Sequence, residues 1–401
     1  MEEDVMSRWI KGWMSLFGLL SLTAHAAQPQ VKEWTFLIYL NGNNSLDTYG
    51  SLNINQMEAV GSSDKVNVVV QWASMSQTSV KRLYIQKDSD PNTVTSPVVQ
   101  DMGPVDMGDW HSLADFIQWG AKTYPAKHYF VDVWDHGGGW HLKSFGGGVR
   151  AHDISWDDKS GHVIKTEELG LVMAQAAQAI GHKVEIFGTD ACLMSMGEVV
   201  AEMTDSVEVF TGSQETEPDA GWPYEALLNR WNAMSDATPA AVGAALAEEY
   251  VKSYEGGSNG TQEVTFSALD LSKFTAFTDS IRDLGKEVSA FSASDKTSFE
   301  TAVSQTQSYA YADYVDVIDL ADNTQKSGLK VASKTLDNVR NAVQGLVISN
   351  HTTSTYTRSH GISLWAPDQY NYQDYIARYK GLKFHAETQW GDALTSLWGT
   401  N

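Results

Sequence analysis

His128-Tyr129-Phe130-Val131-Asp132-Val133-Trp134 is a nearly continuous apolar run that ends in Asp135-His136-Gly137-Gly138-Gly139. A run without polar–apolar alternation is what a strand buried on both faces requires. Similar runs occupy residues 34–40, 66–72, 183–187 and 207–210. Helix-like segments separate them, at about residues 46–60, 110–123, 166–180 and 193–204. The third is the clearest: Leu169, Val172, Met173 and Ala176 share one stripe, Thr166 is the expected N-cap and Gly181 the expected stop. Strands alternating with helices predict an α/β chain with a mostly parallel central sheet and helices on both faces.

Beyond residue 225 the pattern changes. Residues 238–254, 272–290, 296–308 and 334–348 read as helices, and 262–269 and 361–365 as strands. Gly256-Gly257-Ser258-Asn259-Gly260 reads as a surface loop and not as a domain linker. The expected organisation is a leader over 1–26, a catalytic core over 27–225, and a C-terminal helical region over 226–401 that adds strands to the same compact unit.

The leader reads as an export signal. Arg8 and Lys11 precede the apolar stretch from Trp13 to Leu22, and Ala24-His25-Ala26 supplies a small-x-small cleavage site. That stretch is too short to remain as a membrane span. The expected product is exported, secreted or periplasmic. Net charge is −22, from 28 basic and 50 acidic residues, and it disfavours nucleic acid and anionic membranes while attracting cationic peptides. The 14 Trp are scattered along the chain, which suits packing better than a glycan-binding surface.

The 401 residues contain one cysteine. Cys192 lies in Gly188-Thr189-Asp190-Ala191-Cys192-Leu193-Met194-Ser195, where a strand-like run hands over to a helix-like one. It follows His136 by 56 positions. In open α/β sheets the active crevice lies outside the carboxyl ends of the strands. If the two preceding strands are neighbours, thiol and imidazole emerge at one edge, as nucleophile and acid–base. A lone cysteine is otherwise a small buried hydrophobe, and a lone His before a glycine-rich turn is otherwise structural. A helix beginning at Cys192, or at Ser195 in a Ser195–Glu198 capping box, would lend the thiol partial positive charge. The N–H groups of Gly137 and Cys192 are the natural oxyanion donors.

Asp135-His136-Gly137-Gly138 and Thr189-Asp190-Ala191-Cys192-Leu193-Met194-Ser195 together resemble the paired signatures of the clostripain family, with further matches at 34–44, 213–224 and 361–365. The resemblance implies a caspase–hemoglobinase-like sandwich and a cysteine endopeptidase with a His136–Cys192 dyad. It implies protein or peptide substrates cleaved after Arg or Lys, with Asp190 as an acidic wall of the specificity pocket. A carboxylate there pairs with guanidinium or ammonium and penalises neutral side chains. Asp190 could equally serve as a helix N-cap. Ser213 and one of Glu215, Glu217 or Asp219 would complete the pocket, with Asp219 the favoured carboxylate.

The resemblance also implies self-cleavage between the dyad residues. Lys143 to Gly161 is glycine-rich and polar, and Arg150-Ala151 is the candidate bond, with Lys143 and Lys159 behind it. Asp153, Asp157 and Asp158 nearby could hold a structural calcium, although no EF-hand spacing is present. No cofactor is required by the chemistry, and the histidines lack zinc-site spacing. His360-Gly361 precedes a strand, so it is expected at the opposite sheet edge in a structural role. Two other readings remain at this point: an idle relative that binds basic peptides in the same cleft, and an exported glycan- or solute-binding protein.

Overall fold

A computed structural model of the chain describes residues 31–141 and 153–399. The leader, Lys143 and Arg150-Ala151 lie outside the described residues. Nine strands form one sheet: β1 Lys32–Gly42, β2 Val66–Ser74, β3 Lys81–Tyr84, β4 Val98–Asp101, β5 Ala126–Trp134, β6 Val184–Asp190, β7 Val207–Gly212, β8 Thr265–Asp270 and β9 Val347–Thr352. Their order is β9-β8-β7-β6-β5-β1-β2-β3-β4. The five central strands run parallel, while β8, β9, β3 and β4 add antiparallel margins.

The apolar runs predicted as strands are strands because both their faces are covered. Leu37, Tyr39, Val131, Val133 and Phe187 pack to one side, against helices Trp110–Thr123 and Thr166–Ile180. Phe36, Ile38, Phe130, Trp134 and Ile186 pack to the other, against helices Asp47–Glu58, Tyr224–Ala233 and Pro239–Tyr254. The result is the expected sandwich. Because β1 is flanked by β2 on one side and β5 on the other, the strand order reverses at the β1–β5 boundary. Open α/β sheets place their crevices outside the carboxyl ends of the strands at such a reversal.

The second half joins this sheet through β8 and β9. The predicted helix at 334–348 ends at Leu346, and the chain then continues as β9, a strand hidden from periodicity by its polar residues. Ser363–Trp365 is fully buried but does not enter the large sheet. It pairs instead with Tyr314–Asp316 and bridges Met196. The predicted 193–204 helix shrinks to Gly197–Ala201, capped at Met196, so Cys192 does not begin a helix. Ser195 caps nothing: its hydroxyl is buried between Ser267 and the Gly361 carbonyl. Thr166 is the first helical residue, with Lys165 at the cap, while Gly181 closes the helix in the left-handed region at φ 93°.

Candidate active site

β5 and β6 pair in parallel with Trp134 opposite Asp190, so His136 and Cys192 each lie two residues past the same rung. The Asp135 N–H donates to the Asp190 carbonyl at 3.2 Å and ties the two exits together. A side chain at Gly137 would place its Cβ 2.5 Å from the Cys192 carbonyl oxygen and 3.0 Å from its nitrogen. Only glycine permits that approach.

Cys192 is half-buried. Its sulfur accepts the Glu217 N–H at 3.2 Å, and the Gly137 N–H also faces it. Burial nevertheless pushes the thiol up to about 11, helped by the charges of Glu215 and Asp219. The next residue, Leu193, adopts φ 67°, a left-handed conformation that a branched side chain tolerates only when its surroundings enforce it. Those surroundings are two backbone bonds, Leu193 N–H to the Glu215 carbonyl at 3.1 Å and Ser195 N–H to the Ser213 carbonyl at 2.9 Å. They clamp the cysteine loop against the loop that follows β7.

His136 is held from three sides. Its backbone N–H donates to Asp135, whose buried carboxyl also accepts from Asn41 at the end of β1 and from Asn44 just beyond it. Its Nε2 lies 2.9 Å from the Ser45 hydroxyl, and its ring sits 4.9 Å from that of Trp156. Burial lowers the imidazole pKa, opposed by the charges of Asp219 and Asp158. Burial thus disfavours the thiolate and the imidazolium alike.

Asp190 lies in a buried polar cluster. Its Oδ2 accepts the Trp222 N–H at 3.0 Å and the Tyr224 hydroxyl at 2.8 Å. Tyr224 also lies 2.9 Å from Asp132, and Asp132 accepts the Asp190 N–H at 3.2 Å. The Glu217 carboxyl enters the same space: both its oxygens are buried without a donor, and Asp190 is its strongest charged neighbour. Gly221, at φ 64°, closes the wall, and a Cβ there would lie 2.8 Å from the Asp190 carboxylate. Among the described residues, no lysine, arginine or histidine forms an ion pair with Asp132, Asp190 or Glu217.

The other expected residues are placed as follows. Asp219 is exposed and acts electrostatically on His136 and Cys192, while Glu217 takes the inward position. Ser213 turns its hydroxyl to Thr265 at 3.0 Å and to the Glu215 N–H, into the core and away from any cleft. Asp153 is bound by Arg378 at 2.5 and 3.1 Å, and Asp157 accepts from Asn43 and from the N–H groups of Met107, Lys159 and Ser160. Those carboxylates are already satisfied by internal donors, and no metal-ligating cluster occurs among the described residues. Lys159 is exposed, and its ammonium donates to the Ser74 and Gln77 carbonyls, 2.7 Å from each. His360-Gly361 is not at the opposite edge. Its backbone meets Gln214 and Ser195, on the side of Cys192, although its imidazole is tied to Asp316 at 2.8 Å in a structural pair.

Asp132, Tyr224, Ser45 and Trp156 were not singled out from sequence. Asp132 had a signal: a carboxylate inside an otherwise apolar, doubly covered strand needs a buried partner.

The sequence profile of the clostripain family matches residues 38–398. No curated protein matches the chain. Among solved structures, a secreted C11 cysteine protease from Bacteroides thetaiotaomicron, in complex with an irreversible peptide inhibitor, superposes with a TM-score of 0.69 at 20% identity, covering 90% of this chain and 99% of that one. An inactive zymogen C11 protease from Parabacteroides distasonis superposes with a TM-score of 0.68 at 19% identity, again covering 90% and 99%. A second secreted C11 protease from B. thetaiotaomicron, iotapain, gives 0.66 at 15% identity over 91% and 99%. These likenesses establish the fold, and with a profile that spans nearly all the described residues the chain belongs to the clostripain family of cysteine peptidases.

Proposed function

We propose that this peptidase is exported and cleaves after Arg or Lys, with Cys192 as nucleophile and His136 as acid–base. The observation that carries the reading is the buried carboxyl cluster two residues from the thiol, which has no cation of its own among the described residues. A guanidinium or ammonium group from the substrate would supply it.

The chemistry follows from the arrangement. Ser45 engages Nε2 of His136, so Nδ1 is the nitrogen left for proton transfer. The sulfur attacks the scissile carbonyl while the imidazole takes the thiol proton. The Gly137 and Cys192 N–H groups stabilise the oxyanion, the imidazolium protonates the departing amine, and a thioester remains. Water activated by the neutral imidazole then releases the acid and restores the thiol.

The clamped, neutral thiol suits a resting enzyme. Cleavage after Arg150, within the interval between the dyad residues, would free the loops that bear on Cys192, and a structural neighbour described as an inactive zymogen accords with such a step. Removal of the leader would deliver the chain outside the cytoplasm. Among the described residues no helix is long and apolar enough to cross a membrane.

The test is hydrolysis of a fluorogenic peptide with Arg at the cleaved position, with reductant, by the wild type and by Cys192→Ala and Arg150→Ala proteins. Turnover abolished in Cys192→Ala supports the reading. Binding without turnover in the wild type would leave an idle relative, and Arg150→Ala protein that matures at the same bond would reject that bond.

A further inference from the structure

Tyr224 has one hydroxyl proton and two carboxyl neighbours, Asp190 at 2.8 Å and Asp132 at 2.9 Å. It can donate to only one of them. The other contact, at hydrogen-bond length between two oxygens, requires a proton on the carboxyl. Asp190 already accepts the Trp222 N–H on the same oxygen, whereas Asp132 Oδ2 has only the phenol. The consistent assignment is a chain in which protonated Asp132 donates to Tyr224 and Tyr224 donates to ionised Asp190.

On its other side Asp190 faces Glu217, whose two buried oxygens receive no hydrogen bond from a described donor. Two facing buried carboxyls without a cation cannot both be ionised, so Glu217 carries a second proton. The remaining titratable groups around the cluster do not change this count. Tyr250 and Tyr254, from helix Pro239–Tyr254, stay protonated because burial and these carboxyls push them up. Cys192 does likewise, and Asp219 adds negative charge from outside. Asn53 and Trp134 complete the wall without charge.

We propose that Asp132 and Tyr224 form a fixed proton-donating chain behind Asp190, and that the one exchangeable proton of the pocket, held on Glu217, is released when a guanidinium or ammonium side chain enters. The inference rests on the pocket reading above. The exchange is balanced: the cation enters, the Glu217 O–H bond breaks, and one proton passes to solvent. Asp132 keeps its proton and serves as a positioning residue that fixes the charge facing the substrate. Acceptance of basic side chains is then coupled to pH through Glu217. Burial and the neighbouring carboxyls raise Glu217 well above the usual carboxylate range, and burial raises Asp190, so the exchange takes place above the range where ordinary carboxyls titrate.

The experiment measures the competitive inhibition constant of n-butylguanidinium on the active wild-type enzyme as a function of pH. The inhibitor stays cationic throughout. Below the pocket transition the constant should fall by about tenfold per pH unit as pH rises, then level off. Glu217→Gln should flatten that dependence. Asp132→Asn, whose amide can donate to Tyr224 as the protonated acid does, should keep the slope and stay within about threefold of wild type. A flat wild-type profile overturns the inference, as does a loss of about tenfold or more in Asp132→Asn, which would make Asp132 an ionised contributor. A different failure, no inhibition by n-butylguanidinium while neutral n-butylurea competes, would reject the basic pocket itself.

Discussion

Asp153 and Asp190 are both buried carboxyls, 1% and 5% exposed, and the protein treats them in opposite ways. Asp153 is gripped by the Arg378 guanidinium, which also bonds Glu167 at 2.8 Å, and it accepts the Thr166 N–H. Asp190 has a phenol, an amide and two neighbouring carboxyls but no cation among the described residues. The first arrangement is what a structural carboxylate needs, since an unpaired buried charge is costly. The second makes sense when the cation comes from outside. The difference separates a strut, which joins the segment after residue 152 to helix Gln369–Tyr379, from a binding site.

The largest expected effect tests the second half of that contrast. Asp190→Asn should lower kcat/KM for Arg peptides by roughly 100-fold or more, because one partner of a desolvated charge pair is lost. Its folded stability at pH 8 should not fall. A carboxyl whose folded pKa is raised stabilises the fold fully only below its unfolded pKa and loses that contribution as pH rises through the folded value. Paired urea melts and kinetics check both halves.

Arg378→Met addresses the other half and should do the reverse. It leaves Asp153 buried without its partner, for an expected loss of about 3–5 kcal/mol in urea unfolding. Enzyme that still folds should keep its preference for basic side chains. A stable Arg378→Met protein with altered preference would break the comparison.

Glu198 sharpens it further. This carboxyl is fully buried, raised to about 7 by burial, and accepts from the Trp365 N–H and the Tyr379 hydroxyl, each at 3.0 Å. It too lacks a cation among the described residues, yet its partners Trp365 and Tyr379 belong to the C-terminal region and not to the loops around Cys192. Glu198→Gln should therefore leave kcat/KM unchanged and alter only the pH dependence of stability. Near pH 4 variant and wild type should melt together. Above pH 7 the variant should be more stable, by an upper bound of roughly 3 kcal/mol.

The smallest effect concerns the imidazole. Ser45→Ala removes one hydrogen bond to His136 while Trp156 and Asp135 still hold the residue. The expected loss is about fivefold in kcat with little change in KM, near 1 kcal/mol.

How much of this was legible beforehand depends on the kind of residue. The central strands could be read because burial on both faces writes an unbroken apolar run, and the two junctions because their motifs end such runs. β3, β4 and β9 were missed: Lys81-Arg82-Leu83-Tyr84, Val98-Val99-Gln100-Asp101 and Val347-Ile348-Ser349-Asn350-His351-Thr352 belong to sheet margins, where polar residues are allowed. The choice among Glu215, Glu217 and Asp219 depended on how the loop turns through Pro218 to Gly221, and a run of acidic residues does not encode that direction. Leu193 illustrates the same limit. Nothing in its side chain announces a left-handed backbone, which the paired Ser213 and Glu215 carbonyls impose from 20 residues downstream or more. Asp132 was visible as an oddity in its strand, but its partner Tyr224 lies 92 positions away.

The most direct measurement is intact-mass and peptide mapping after treatment of the mature enzyme with peptidyl chloromethyl ketones that end in Arg or in Leu. The account predicts one adduct, on Cys192, formed at least about 100-fold faster by the Arg reagent and absent from His136→Ala on the same timescale. Equal rates for the two reagents, or an adduct on any residue other than Cys192, would contradict it.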